Sequence, residues 1–395
     1  LSQRDQIFEF AKRTAHLKPE GAYHVLGRAL QLEKEGREII HFEIGQPDFP
    51  TFENICEAGI QAIRSGKTRY TPPAGMMELR AAIAEDAGRR RGISILPQEV
   101  VISPGGKPNL FFPTLALVEE GDEVMYPDPG FPTYEAMILV AGGIPVAMPL
   151  LEENDFSLDL DAFDRLINPR TKLVILNSPS NPTGGVLSWE ALHHIAEQVQ
   201  RYDCWVLSDE IYSRLVYDNL TAPSIASLTG MKERTIIVDG FSKTYSMTGW
   251  RLGFGIMPVA LAQQVELLLT HSIGATAHFT QFAGLEAILG PQEAVNEMVA
   301  EFQRRREVMV SGLNSLPGFR CRQPQGAFYA FPNIREIGQS SAELADRLLE
   351  EAGVALLPGS AFGAYGEGYL RLSYATGVRP SKKGWHAFGA FYPEG

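Results

Sequence analysis

Between about residues 99 and 256 the chain alternates short runs of apolar, β-branched residues with longer stretches of helical periodicity. The runs read EVVIS, EVMYP, IPVAMP, KLVILN, CWVLSDE, TIIVDG and GFGIM. This alternation predicts βα units around a mostly parallel, seven-stranded sheet in an α/β fold. One intervening helix shows the logic: Ser188 can cap its start, and Leu192, Ile195, Ala196 and Val199 recur at i, i+3, i+4 and i+7, giving one apolar stripe to lay on the sheet. A helix over about 280–289 stops at Gly290 and Pro291. A longer helical pattern over 293–316 then leads away from the sheet. Beyond it FYAFP, a helix over 342–352 closed by Gly353, VALLP and YLRLSYA predict a smaller α+β unit. The predicted division is an N-terminal segment, 1–45, with an amphipathic stretch over 23–35 that packs on the smaller unit; a large domain, 46–290; and a small C-terminal domain, 291–395.

Composition agrees with two units, since 395 residues exceed what one core usually organises. Hydrophobic residues at 45% and charged residues at 21% are ordinary for a soluble protein, and no stretch approaches the ~20 apolar residues of a membrane span. The first thirty residues mix charges throughout and lack the apolar core of a signal peptide, so a cytoplasmic location is expected. A formal net charge of −12 argues against nucleic acid, which is gripped by clustered Lys and Arg. The runs Arg89 to Arg91 and Arg304 to Arg306 are read as solvated helix faces. Cys56, Cys204 and Cys321 are far apart and not in CxxC spacing, so neither a disulfide framework nor a cysteine metal site is expected.

Chemistry concentrates just beyond the predicted strands, where open α/β sheets place ligands. After TIIV comes Asp239-Gly-Phe-Ser-Lys243, and Arg251 follows eight residues later. A lysine beside a buried strand is costly unless used; its neutral amine attacks an aldehyde to form an imine. Arg251 offers a forked donor to phosphate. Ser103-Pro-Gly-Gly106-Lys107-Pro108 ends a strand and opens a helix with proline at its first position, so its backbone N–H groups face an anion that glycine lets approach. Pro113 inside that helix predicts a kink. Asn177-Ser-Pro-Ser-Asn181-Pro-Thr-Gly184 follows KLVIL, and Ser208-Asp209-Glu210-Ile-Tyr212 follows CWVL. Asp209 is placed to keep a cofactor's pyridine nitrogen protonated and the ring electron-withdrawing. Tyr212 and Asn181 are placed to donate to its phenolic oxygen. Taken singly, each element has a plain alternative: a Gly-Gly turn, an Asn-Pro turn, a helix-capping Asp.

Together the motifs resemble the class I/II pyridoxal-phosphate aminotransferases of fold type I, especially the subgroup of prokaryotic aspartate aminotransferases. The likeness covers nearly the whole chain, from Gly45-Gln-Pro-Asp-Phe through Tyr70-Thr-Pro-Pro-Ala-Gly-Met-Met-Glu-Leu-Arg80 to Arg371-Leu-Ser-Tyr-Ala375. It implies pyridoxal 5′-phosphate held as a Schiff base on Lys243, which also moves the proton at the substrate Cα, with Asp209 paired to the pyridinium and Tyr212 beside it. It implies Phe131 stacked on the ring, Gly105, Gly106, Lys107, Ser242 and Arg251 among the cofactor contacts, and Arg371 gripping the substrate carboxylate, with Gly45, Asn181 and Lys107 also facing substrate. Tyr70 matches a residue that reaches the phosphate of a neighbouring subunit, which implies a homodimer with shared active sites. The implied reaction is transfer of an amino group from an L-amino acid to a 2-oxo acid in two half-reactions, with glutamate and 2-oxoglutarate as one pair.

Some positions depart from the family pattern. Gly240 stands where a hydroxyl often binds the phosphate, and the stretch THSIGATAHFT holds no arginine for a distal carboxylate. The lysine of the Gly-Gly-Lys turn does this in the prokaryotic subgroup, which leaves a dicarboxylate substrate open through Lys107. The tail GVRPSKKGWHAFGAFYPEG lacks the usual amphipathic final helix. Two other readings remain open from sequence: a pyridoxal-phosphate lyase performing β-elimination, which uses the same electron sink, and a non-catalytic module that binds the cofactor for regulation.

Overall fold

The computed structural model describes residues 11–15, 17 and 21–376, so the reading of the tail from 377 onward lies outside the described residues, as do residues 1–10, 16 and 18–20 of the leader reading. Twelve strands are present among them: β1 (Ile40–His41), β2 (Val100–Ser103), β3 (Glu123–Asp128), β4 (Ile144–Pro149), β5 (Thr171–Asn177), β6 (Trp205–Asp209), β7 (Thr235–Gly240), β8 (Gly253–Ile256), β9 (Tyr329–Ala330), β10 (Val354–Ala355), β11 (Leu357–Pro358) and β12 (Leu370–Ser373). The seven apolar runs form one sheet in the order β2-β8-β7-β6-β5-β3-β4. It is parallel except at β8, which runs antiparallel to β2 and β7. Its burial follows from the strand period of two. In β5, Leu173 and Ile175 join a cluster with Leu261 and Val265 of the helix Val259–Thr270, while Val174 and Leu176 join Ile195 and Val199 of the helix Trp189–Arg201 on the other face. Ser188 caps that second helix, its Oγ accepting from Ala191 N at 3.1 Å.

The smaller unit is built from the antiparallel sheet β11-β12-β9 and the parallel pair β1–β10. The run VALLP is not one strand. Leu356, fully buried, marks the point where the chain leaves β1 for β12. The helix Ser341–Ala352 opens on a capping box between Ser340 and Glu343 and closes at Gly353 (φ 69°), where a side chain would crowd Glu38 O. From the N-terminal side, the helix Gly21–Lys34 sets Ala29 and Leu32 against Leu349 and Ala355, and Arg28 Nε donates to Glu350 at 2.6 Å. No helix among the described residues is long and apolar enough to cross a membrane.

Three sequence expectations need correction. The helix after the Gly-Gly turn begins at Lys107, which puts Pro108 at its second position rather than its first. The helix expected over 293–316 ends at Asn314. The arginine runs are not uniformly solvated. Three consecutive helical residues span about 200° of the helix circumference, so they cannot share one face. Arg89 is exposed, whereas Arg91 is buried between Glu210 at 2.6 Å and Asp239 at 3.3 Å. Arg304 is likewise exposed, while Arg306 is fully buried against Asp218 at 2.7 Å.

Candidate active site

The parallel strands end in a row of polar residues. Asn177 of β5 lies opposite Asp209 of β6, and Asp209 opposite Val238 of β7, two residues before Gly240 ends that strand. Asp209 is buried, its Oδ2 accepting from Tyr134 Oη at 2.7 Å and its Oδ1 from Ile211 N at 3.2 Å. Burial pushes its carboxyl up to about 6; the Tyr134 and Ile211 donors pull the other way, and the charges of Asp239 and Glu210 add to the rise. Residues 211–214 form a turn and no helix follows, so Asp209 is not a helix cap. A carboxylate so placed is stabilised by a cation brought to it.

Lys243 sits one turn beyond β7, in Phe241–Thr244, and its Nζ donates to Gly45 O at 2.6 Å. Arg371, buried on β12, donates through Nη2 to Glu43 O and through Nη1 to Asn181 Oδ1 at 3.3 Å. The three-residue segment 43–45 therefore spans the distance between the amine and the guanidinium. Its Gly45 end is closely filled: a Cβ there would overlap the Tyr329 hydroxyl. Tyr212 Oη lies 2.7 Å from Tyr329 Oη, and the Tyr329 ring packs 4.6 Å from the Arg371 guanidinium. Asn181 is tied back to the strand row, its N–H donating to Asn177 Oδ1 at 2.8 Å while Asn177 Nδ2 donates to Asp209 O at 3.1 Å.

The Ser103–Gly106 turn makes a concave backbone face at the start of the helix Lys107–Leu117. Gly105 has φ 89°, and Ser103 Oγ donates to its carbonyl at 2.6 Å. The Arg251 guanidinium lies over this turn, with Nη2 3.5 Å from Pro104 O, in space that a Cβ on Gly105 would take. Gly253 of β8 passes so close that a Cβ there would come within 2.5 Å of Gly105 C. A glycine-lined helix start and an arginine fork suit a phosphate. The absence of a hydroxyl at position 240 also has a local reason: a Cβ there would lie 3.1 Å from Gly253 Cα and 3.2 Å from Ile211 Cδ1. Phe131 stands beside the turn, 5.2 Å from Lys107 Nζ, and meets Tyr134 edge-on at 5.7 Å. Ser242 is buried next to Lys243, and Tyr70 is fully exposed, apart from the cluster on the single chain.

The structure thus draws together Gly45, Asn181, Asp209, Tyr212, Lys243 and Arg371, with Gly105, Gly106, Lys107, Phe131 and Arg251 forming a second group around the turn. Every part of pyridoxal phosphate finds a matching group in this set: an amine for the aldehyde, a buried carboxylate for the ring nitrogen, donors for the phenolic oxygen, an aromatic face and an anion cradle. Sequence reasoning missed Tyr134 and Tyr329. Tyr134 had a signal, three residues beyond Phe131 at the start of a helix; Tyr329 looked like one more apolar position in FYAFP.

Known proteins resemble this chain along most of its length. The profile of the family described as aminotransferase class I and II matches residues 37–381. A probable aspartate/prephenate aminotransferase of Aquifex aeolicus is 41% identical over 386 residues, covering 94% of this chain and 98% of that protein. An aspartate aminotransferase of Geobacillus stearothermophilus is 39% identical over 376 residues, covering 94% and 95%. Among solved structures, the aspartate aminotransferase of Thermus thermophilus with maleate superposes with a TM-score of 0.91 at 36% identity, covering 96% of this chain and 98% of that one.

Proposed function

Since the chain belongs to the class I and II aminotransferase family and is a pyridoxal-phosphate-dependent transaminase, we propose that it exchanges amino groups between an L-amino acid and a 2-oxo acid by a ping-pong route, with glutamate and 2-oxoglutarate as one pair. The bound cofactor supplies an aldehyde that takes up the amino group and a cationic ring that withdraws the electron pair left at Cα.

The chain's own residues do the rest. Lys243 would hold the aldehyde and, once exchanged for the substrate, would use its amine to carry the proton away from the substrate Cα and return it. Asp209 stays ionised against the ring nitrogen and keeps it protonated. Arg371 fixes the substrate carboxylate, and the carbonyl of Gly45 and the side chain of Asn181 border the same place, so the Cα–H bond is presented to the lysine. When the cofactor is bound, Tyr212 and Asn181 would donate to its phenolic oxygen, Phe131 would cover a ring face, and Gly105, Gly106, Ser242 and Arg251 would hold the phosphate. Lys107, next to Phe131, receives a side-chain carboxylate; the relatives named as aspartate aminotransferases support an acidic substrate for this chain. Tyr70, exposed at the surface, reaches the phosphate of a second copy in a homodimer. On a division at residues 45 and 290, the proposed cofactor contacts fall mainly in the large unit and the proposed carboxylate anchor in the small one.

The observation that carries this reading is the 43–45 segment, whose two ends accept from Arg371 and Lys243. In an α-amino acid the carboxylate and the reacting Cα are adjacent atoms, so anchor and base must converge in this way. Mixing cofactor-loaded protein with L-glutamate alone should bleach the visible band and release one 2-oxoglutarate per site, and adding a second 2-oxo acid should restore the band. With an amino acid that carries a leaving group at Cβ, such as L-serine, continuous release of ammonia and pyruvate without any added acceptor would instead identify a lyase.

A further inference from the structure

Tyr329 belongs to β9 of the smaller unit, yet it touches three members of the site. Its hydroxyl is 2.7 Å from that of Tyr212, with ring centroids 5.8 Å apart at 84°. Its ring packs 4.6 Å from the Arg371 guanidinium, and its hydroxyl fills the space over Gly45, whose carbonyl accepts from Lys243. Both tyrosines are buried. Burial first, and then the neighbouring Tyr329 hydroxyl, hold Tyr212 protonated well above the usual tyrosine range, against the opposing pull of Arg371. Tyr212 therefore remains a donor.

A phenol has one proton to give. When Tyr212 spends it on an acceptor in the cleft, the contact with Tyr329 survives only with Tyr329 as donor. A hydroxyl that accepts one hydrogen bond donates the next more strongly, and its rotation is fixed.

We propose that Tyr329 is a positioning residue for transamination, donating to Tyr212 so that Tyr212 is aimed at the phenolic oxygen of bound pyridoxal phosphate, while its ring holds the plane of Arg371. This rests on the roles given to Tyr212 and Arg371 above. A space-filling role alone would be served equally by phenylalanine, which separates the two accounts.

The test uses the cofactor-loaded enzyme and its Tyr329→Phe, Tyr212→Phe and double variants, with a pH titration of the visible band alongside steady-state kinetics. Loss of one hydrogen bond of ordinary strength should raise the apparent pKa of the band by about 0.5–1 unit in Tyr329→Phe. It should lower kcat about 3- to 10-fold with KM little changed, because the ring under Arg371 remains. In the Tyr212→Phe background the second substitution should move the band no further. Tyr329→Leu, which removes the ring as well, should in addition raise KM for the amino acid. A Tyr329→Phe enzyme that titrates as the wild type, or an equal shift with and without Tyr212, overturns the proposal. A wild-type enzyme with no titrating visible band overturns the cofactor reading beneath it.

Discussion

The hydroxyl of Tyr134 donates to Asp209 Oδ2 at 2.7 Å, joining the helix Thr133–Ala141 to the end of β6 across 75 residues of chain. This bond opposes the burial that pushes the Asp209 carboxyl up to about 6. In a Tyr134→Phe variant the carboxyl rises further, so less of it is ionised in mildly acid solution. Cofactor affinity should fall about 5- to 10-fold at pH 8, the value of one hydrogen bond, and by more at pH 6. Titrating apoprotein with pyridoxal phosphate at the two pH values measures this.

Asp209 itself gives a stability prediction with a definite sign. Its folded pKa of about 6 lies above the ordinary 3.8, so its contribution to stability is complete below pH 3.8 and lost as pH rises through 6. Above pH 6 the cofactor-free protein carries a buried carboxylate charge whose burial outweighs the Tyr134 and Ile211 donors. Apo Asp209→Asn should therefore be more stable than apo wild type at pH 8, by on the order of 2 kcal/mol, with the difference closing towards pH 4. The same substitution should cost about 10²- to 10³-fold in kcat, since the ring nitrogen loses its ionic partner. Urea unfolding across pH, paired with kinetics, checks both parts.

The strands that carry the site were legible because each is an apolar run bounded by polar motif residues, and a parallel sheet then brings Asn177, Asp209 and Gly240 to one edge. Lys243 and Arg251 were legible for the same reason, being fixed to strand ends a few residues away. Tyr329 was not: its partner Tyr212 is 117 residues distant, and nothing local distinguishes a tyrosine that packs from one that donates. The break inside VALLP was equally hidden, because two-residue strands are too short to show a period. Arg91 was misread because a run of three arginines resembles a solvated face, while the two carboxylates that bury it lie 119 and 148 residues further on.

That burial separates neighbouring arginines sharply. Removing Arg91 leaves Glu210 and Asp239 facing each other without their shared cation, so Arg91→Met should destabilise the protein by about 3–5 kcal/mol. Arg89→Ala, two residues away on the exposed side, should stay within about 0.5 kcal/mol of wild type. Thermal or urea midpoints of the two variants make the comparison.

Arg371 is held by Asn181 Oδ1, by the Glu43 carbonyl and by the faces of Tyr329 and Phe362. A lysine keeps the charge but not the planar fork that aligns a carboxylate. Arg371→Lys should lower kcat/KM for amino acids by about 10²-fold or more through lost alignment, with the visible band of the loaded enzyme retained. A loss of the band together with activity would point to a cofactor contact instead.

The Lys243 amine, held 2.6 Å from Gly45 O, is the group proposed to bind the cofactor aldehyde. Borohydride reduction of the yellow protein, followed by peptide mass spectrometry, tests it most directly. A single pyridoxyl-phosphate adduct on Lys243 is expected, absent from Lys243→Ala, which should also lack turnover. An adduct on another lysine, or full activity without Lys243, would contradict it.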